Sequence, residues 1–219
     1  MREGLLSFVL VALAGCGGGG AKYHVDDQSL ATASVQEKQG ILAAQQEKEV
    51  AKTEQQKSEA DLKNIDNELS VAENEYKTAK LTLDTAKLNQ KTAEASGDVN
   101  RKTQSVHDVK VAEVGVKAAD TKVDWLNKKR KWFKAQRDAA DDHFAAADSR
   151  LELEKAKLAQ QKNIKPDSSF SVGDYESQWK DKNSDWQSAK KDAESEDKKA
   201  NEREQKWKEI VAQHAKMKG

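Results

Sequence analysis

Residues that could carry out chemistry are sparse in this chain. It holds one cysteine, Cys16, and four histidines at positions 24, 107, 143 and 214. His143 follows Asp141 and Asp142, but neighbouring residues on a helix diverge by about 100° and do not converge on one ion. The sequence also lacks the phosphate-binding loops, nucleophile elbows and paired-histidine motifs of common enzyme classes. We therefore expect no catalytic activity, metal, cofactor or small-molecule substrate.

A basic stretch is the sharpest local feature of the sequence. Its cations are Lys128, Lys129, Arg130, Lys131 and Lys134, and they surround Trp132 and Phe133. One interpretation is a surface for an anionic partner such as lipopolysaccharide or phospholipid. The alternative is that the cations pair with Asp61, Asp66 and Glu68 on a neighbouring helix. Both interpretations require a helical scaffold that presents these side chains.

The composition predicts such a scaffold. Of the 219 residues, 35% are charged, with 38 basic and 38 acidic side chains and one proline. A compact enzyme domain of this size would carry more large apolar residues. Abundant Ala, Lys and Glu with almost no Pro is typical of long helices and coiled coils.

The N-terminal region predicts export. Arg2 is followed by an apolar run over residues 5–14, which is too short to span a bilayer as a helix. An apolar run of this length after a basic start is typical of a secretory signal. An exported protein meets little nucleic acid, so we expect no nucleic-acid partner.

The run ends in Leu13-Ala14-Gly15-Cys16, which resembles the lipobox of bacterial lipoproteins. The resemblance implies that residues 1–15 are a cleaved signal peptide and that Cys16 carries a diacylglycerol and a further acyl chain such as palmitate. Residues 16–27 would then be the lipid anchor and a Gly-rich tether. Gly17, rather than Asp, follows the cysteine, which by resemblance to enterobacterial sorting implies the outer membrane. We expect the protein to face the periplasm, with exposure at the cell surface as the alternative.

The spacing of apolar residues predicts three helices. Steps of three and four residues recur along residues 28–162, and between Leu62 and Ala86 every seam position is apolar. The turn is expected near residues 96–99, where Gly97 can end one helix and Asp98 can cap the next. A loop over residues 163–174 then leads to a third helix over residues 175–218, with Asp174 as its cap.

These helices predict an all-α fold, a long antiparallel coiled-coil hairpin with a shorter third helix packed on its membrane-proximal part. Residue i of helix 1 should face roughly 195 − i on helix 2, and helices 2 and 3 should pair at roughly 337 − i. This register gathers Trp125, Trp132 and Trp207 into one mostly buried aromatic cluster shared by three helices. Charge agrees with it, since residues 21–99 carry a net charge of −5 and residues 100–165 a net charge of +6.

The hairpin tip is the expected contact region. Helix 3 should end where helix 1 reaches about residue 75, so that both hairpin arms continue alone beyond it. Leu81 and Leu88 lie off the seam and are seven residues apart, as in a contact stripe for a partner helix or a second copy of the chain. The alternative is that they are scattered surface leucines, which are common.

Together these features predict a lipid-anchored structural or interaction protein of the bacterial cell envelope. It would be a helical rod that acts as a spacer or docks a partner. A first alternative is an accessory component of an export or efflux assembly, because periplasmic adaptor proteins also use long α-hairpins that dock through their tips. Those proteins carry β-rich domains for which this chain has no room. A second alternative is a holdase chaperone.

Overall fold

The computed structural model describes residues 21–166 and 168–218. They form a 3-10 helix, Asp27–Leu30, and three α-helices, namely α1 (Gln39–Ser96), α2 (Val99–Gln161) and α3 (Val172–Lys218). The predicted all-α hairpin with a shorter third helix is confirmed. Within this described part, no helix combines the length and the apolar character needed to cross a bilayer. The predicted signal peptide, Cys16 and the glycines that follow it lie outside the described residues.

The hairpin turn has the predicted geometry. Gly97 adopts a left-handed conformation with φ of 71°, which a residue with a Cβ disfavours. The Asp98 side chain accepts hydrogen bonds from the backbone N–H groups of Asn100 and Arg101 and so caps α2. One residue ends α1 and the next starts α2, which makes the two long helices antiparallel neighbours.

The start of α1 differs from the prediction. The helix was expected near Gln28 but begins at Gln39. Ahead of it, Ser34 and Glu37 form a reciprocal capping box, with Ser34 N–H donating to Glu37 Oε2 at 2.7 Å. Residues 21–38, here called the N-terminal strap, therefore lie outside α1. Residues 21–27 were predicted to be tether, but they hydrogen-bond to α2 and α3 at Ala21, Tyr23 and Val25.

The strap completes an apolar core at the end of the bundle opposite the hairpin turn, here called the base. Val25 is fully buried and Leu30 is 2% exposed. The base core also takes residues from all three α-helices: Ile41, Ala44, Leu151, Leu153, Ala156, Leu158, Ala159 and Tyr175. The base thus holds most of the large buried side chains of the described chain.

The connection between α2 and α3 also differs from the prediction. Asn163 adopts a φ of 57°, and Ile164 N–H donates to the Ala159 carbonyl at 2.8 Å, which is the hydrogen-bond pattern of a Schellman motif. Ile164 and Phe170 then pack against the base core. Helix α3 begins at Val172, so Asp174 lies in its first turn and is not the cap.

The three helices form an open array with α2 in the middle. Helices α1 and α3 both pack along α2, but among the described residues they have no Cα atoms within 8 Å of each other. The three helices therefore meet through side chains and not through close backbone contact between α1 and α3. The arrangement leaves a long groove above α2 between its two neighbours, and this groove is lined at two places by side chains of all three helices.

Candidate functional site

Ion pairs define the register of the hairpin. Lys48 Nζ lies 2.6 Å from Asp148 Oδ1, and Lys122 Nζ lies 2.6 Å from Glu75 Oε2. Opposite positions therefore follow about 196 − i, within one or two residues of the prediction. The ion pairs beside the seam thus agree with the register that the apolar seam residues predict, as expected for a coiled-coil pair.

The basic stretch is divided between both neighbours of α2. Lys129 Nζ lies 3.6 Å from Glu68 Oε2, and Arg130 Nε lies 2.5 Å from Asp66 Oδ1. These two cations make the ion pairs with helix 1 that the sequence suggested as the alternative to an anionic partner.

The other cations of the stretch are placed differently. A hydrogen bond from Lys199 lowers the pKa of Glu196 on α3. The positive charges of Lys131 and Lys128 lower this pKa further, so both lysines interact electrostatically with α3. Lys134 is exposed, as are Arg130 and Lys131. The stretch therefore does not present one continuous cationic face, and an anionic partner for it stays a prediction.

The predicted aromatic cluster forms only in part. Trp125 and Trp207 stack with ring centroids 4.7 Å apart, as the register suggested. Trp132 instead stacks on its neighbour Phe133 at 4.6 Å. All three indoles keep only a minority of their surface exposed, as predicted. The remaining exposure follows from the open array, in which the backbone of α1 does not close over the side chains between α2 and α3.

Helix α3 extends farther toward the tip than predicted. His143 on α2 stacks on Trp186, and His214 lies beside Gly115, so opposite positions follow about 329 − i. The shift of about eight residues goes together with a loop that folds back and packs Ile164 and Phe170, both partly buried, against the base core. Lys218 shares a groove with Ala86, which leaves roughly 10 residues per hairpin arm, or about 15 Å, beyond α3.

Leu81 and Leu88 are exposed on the tip-ward half of α1. Their exposed fractions are 67% and 65%, and that of Val99 at the turn is 74%. Leu81 lines the groove that ends with His214 and Lys218, so α3 approaches it, contrary to the prediction that no helix does. A Cβ at Gly115 would lie 3.1 Å from His214 Nε2, so this glycine makes room for the imidazole.

A buried ionic cluster at the base was missed by sequence reasoning. Glu152 and Lys155 are each 4% exposed, and their side chains are 3.0 Å apart. Glu152 Oε2 also accepts the Val25 N–H at 2.8 Å and contacts His24 Nδ1 at 3.0 Å. Lys155 Nζ reaches Asp27 Oδ1 at 2.8 Å. The sequence did contain a signal for this cluster. Glu152 and Lys155 stand among Leu151, Leu153 and Leu158, and apolar neighbours of this kind predict burial.

Asp148 fastens the start of the strap. Its carboxylate accepts a hydrogen bond from the Ala21 N–H at 3.0 Å and pairs with Lys48. Burial raises the pKa of Asp148, but the hydrogen bonds from Lys48 and Ala21 outweigh burial and place the pKa below its usual value. The ionised carboxylate is thus the form that holds the strap most strongly.

A second missed contact connects α1 to α3 through a side chain of α2. His143 is 8% exposed, and its Nδ1 lies 2.7 Å from Glu54 Oε2. The imidazole stacks on the indole of Trp186 with centroids 4.1 Å apart and planes 7° apart. The sequence showed His143 beside two aspartates, but its partners lie 89 and 43 residues away.

The comparisons with known proteins identify no relative of this chain. No protein-family model, characterised protein or solved structure matches it. In the described part of the chain, no three His, Cys, Asp or Glu side chains are grouped so that they could hold a metal ion. Function must therefore be argued from the chain's own residues.

Proposed function

We propose that the chain is a lipid-anchored structural or interaction protein of the bacterial cell envelope, a helical rod that serves as a spacer or partner-docking element. The observation that carries this proposal is the lipobox ahead of a strap that is fastened at the base. Ala21 is the fifth residue after Cys16, and it hydrogen-bonds to Asp148 of α2. The proposal assigns the chain no catalytic role and no resident cofactor.

The distance from anchor to tip supports a spacer. Val99, the first residue of α2, and Asp148 are 49 residues apart on one continuous helix, which corresponds to about 75 Å. Acyl chains on Cys16 would sit in a membrane close to the base, since five extended residues reach at most about 18 Å. The proposed location is the periplasmic face of the outer membrane, because Gly17 follows the cysteine.

Replacement of the proposed lipidation residue tests the anchor. Cys16→Ser should abolish incorporation of labelled palmitate and move the protein out of the membrane fraction. The neighbouring variant Gly18→Ser keeps the cysteine and should fractionate like the parent. Unchanged membrane association and processing of Cys16→Ser would overturn the lipoprotein proposal.

The tip-ward half of α1 is the proposed docking surface. Leu81 and Leu88 expose apolar side chains whose burial against a partner would be favourable by about 1.5–3 kcal/mol each. Leu81→Glu/Leu88→Glu should remove the partner interaction while helicity and anchoring persist. A matched control is Leu42→Glu/Val50→Glu, because these residues are also exposed on α1 but lie toward the base. Retention of the parent's crosslinks by the first double variant would leave only the spacer role.

Crosslinkers placed at Gln90 and Lys102, near the turn, distinguish the kinds of partner. Capture of an outer-membrane channel would favour an accessory role in export or efflux, which the apolar exposure at Val99 also supports. Capture of many unfolded proteins would favour a holdase. Capture of a second copy would favour self-association through the coiled coil.

A further inference from the structure

The groove above α2 contains a cavity that the proposed function does not use. It has a volume of about 480 Å³ and is lined by side chains from all three helices. Volumes of about 300–1,000 Å³ are typical of pockets for small molecules. The cavity exists because α1 and α3 flank α2 without touching each other.

Two indoles form part of the cavity wall. Trp186 lines it from α3 and Trp132 lines it from α2. One face of Trp186 is stacked on His143, and Trp132 is stacked on Phe133, so each ring is held in place by an aromatic neighbour. Both indoles are only half-buried, which leaves aromatic surface open to the cavity.

The imidazole that supports Trp186 is itself fixed. His143 Nδ1 contacts Glu54 Oε2 at 2.7 Å, so the ring is tied to α1 while it stacks on α3. This contact joins the two walls of the groove at the level of the cavity. His143 thus positions the indole, and its own side chain also lines the cavity.

The polar part of the wall has an excess of negative charge. Its carboxylates are Glu54, Asp61, Glu194 and Asp197, and its ammonium groups are Lys57 and Lys190. Indole faces attract cations through their quadrupole, most strongly where water is partly excluded. The carboxylates add attraction for a cation, although Glu54 and Glu194 are exposed and solvent weakens their contribution. Both effects favour the same class of ligand.

We propose that this cavity binds a small organic cation, an ammonium or guanidinium group carried on a carbon framework. Trp132 and Trp186 would contact the cation through their ring faces, and Glu194 and Asp197 would supply the opposing charge. A neutral molecule of the same shape would gain the apolar contact but neither electrostatic contribution. The proposal goes beyond the anchoring and docking role and does not depend on it, since every residue involved lies in the described helices.

The test uses the full-length protein in detergent, titrated calorimetrically with choline and agmatine. The comparison ligands are 3,3-dimethyl-1-butanol, a neutral isostere of choline, and N-acetylglucosamine, a neutral sugar. Saturable binding of at least one cation is expected, with the neutral compounds at least about tenfold weaker. No saturable binding of either cation, or equal binding of the neutral isostere, would overturn the proposal. A preference for N-acetylglucosamine would overturn it in favour of a saccharide site.

Variants locate the binding in the cavity. Trp186→Leu should weaken cation binding by about tenfold, and Glu194→Gln/Asp197→Asn should do the same. The matched control is Glu202→Gln, an exposed position of α3 outside the cavity, which should bind like the parent. If Trp186→Leu fails to fold, the test rests on Glu194→Gln/Asp197→Asn, which replaces side chains at the rim of the cavity. Parental affinity of that variant, at parental helicity, would show that the cation binds elsewhere.

Discussion

The base and the tip of this rod are built from the same two helices but differ in what holds them together. At the base, Leu153 and Leu158 are each 3% exposed, and the strap adds Val25 and Leu30 to a continuous apolar core. Near the tip, the buried positions are mainly small, such as Ala93, Ser105 and Ala112. Apolar burial therefore concentrates stability at the base, because the favourable free energy scales with the area removed from water.

The ion pairs are likewise more buried at the base than toward the tip. Glu152 and Lys155 at the base are almost inaccessible to solvent, whereas Lys122 and Glu75 toward the tip keep 27% and 49% of their side-chain surface exposed. Buried pairs depend on complete pairing, while exposed pairs contribute about 0–1 kcal/mol. A uniform helical architecture can therefore carry a stable end and an end available for contacts.

The largest expected difference concerns the ionic pairs. Glu152→Gln should lower the free energy of unfolding by roughly 3–5 kcal/mol, because it leaves Lys155 buried with reduced charge compensation. Lys122→Met, which breaks the exposed pair, should change it by about 0–1 kcal/mol. Urea denaturation followed by circular dichroism measures both. Similar effects of the two variants would show that the base cluster is not specially important.

Truncation of leucines gives the next largest contrast. Leu153→Ala should destabilise the fold by about 2–5 kcal/mol, since the side chain is buried and its removal leaves a cavity. Leu81→Ala should stay within about 0.5 kcal/mol, because that leucine is exposed. Thermal or urea unfolding of both proteins checks this. A large effect at Leu81 would mean that a second copy already covers it.

Acidification should release the strap before it affects the tip. The pKa of Asp27 is lowered by its hydrogen bond from Lys155, and that of Asp148 is also lowered. A depressed folded-state pKa stabilises the fold above the ordinary value of 3.8, and that stabilisation is lost as the pH falls through the folded-state pKa. NMR signals of the Ala21 and Val25 amides should shift below about pH 4. Asp148→Asn should reduce the change at Ala21, and amide signals from residues 86–92, a stretch of α1 near the tip without carboxylates, should move little.

The smallest expected effect lies at the hairpin turn. Gly97→Ala should destabilise by roughly 1 kcal/mol, because alanine disfavours the left-handed backbone there. Apart from its two flanking residues, no described residue has an atom within 4 Å of a Cβ built at this position, so the effect should come from the backbone alone. Urea denaturation measures it, with Gly173→Ala as the comparison, where the nearest atom is 3.5 Å from the new Cβ. If Gly97→Ala lowered the free energy of unfolding more than Glu152→Gln or Leu153→Ala does, the assignment of stability to the base would be contradicted.

Local patterns in the sequence predicted the hairpin closely. The heptad seam, Gly97 and Asp98 each act through residues within about four positions along the chain, and they placed the turn and the α1–α2 register to within one or two residues. The pairing of Lys129 and Arg130 with acidic residues of α1 followed from the same register. The lipobox is equally local, and its role at Cys16 stays a prediction from sequence alone.

Tertiary packing decided what the patterns could not. The strap leaves the expected helix because Val25 and Leu30 are buried in the base core, and its ionic partners lie more than 120 residues away. Ile164 and Phe170 pack against the same core, and α3 lies about eight residues farther along α2 than the heptads predict. In that register Trp186 stacks on His143 beside the cavity between α1 and α3. The heptad pattern identifies the apolar face of each helix. Which faces meet, and in what register, depends on how side chains distant in sequence pack into one core.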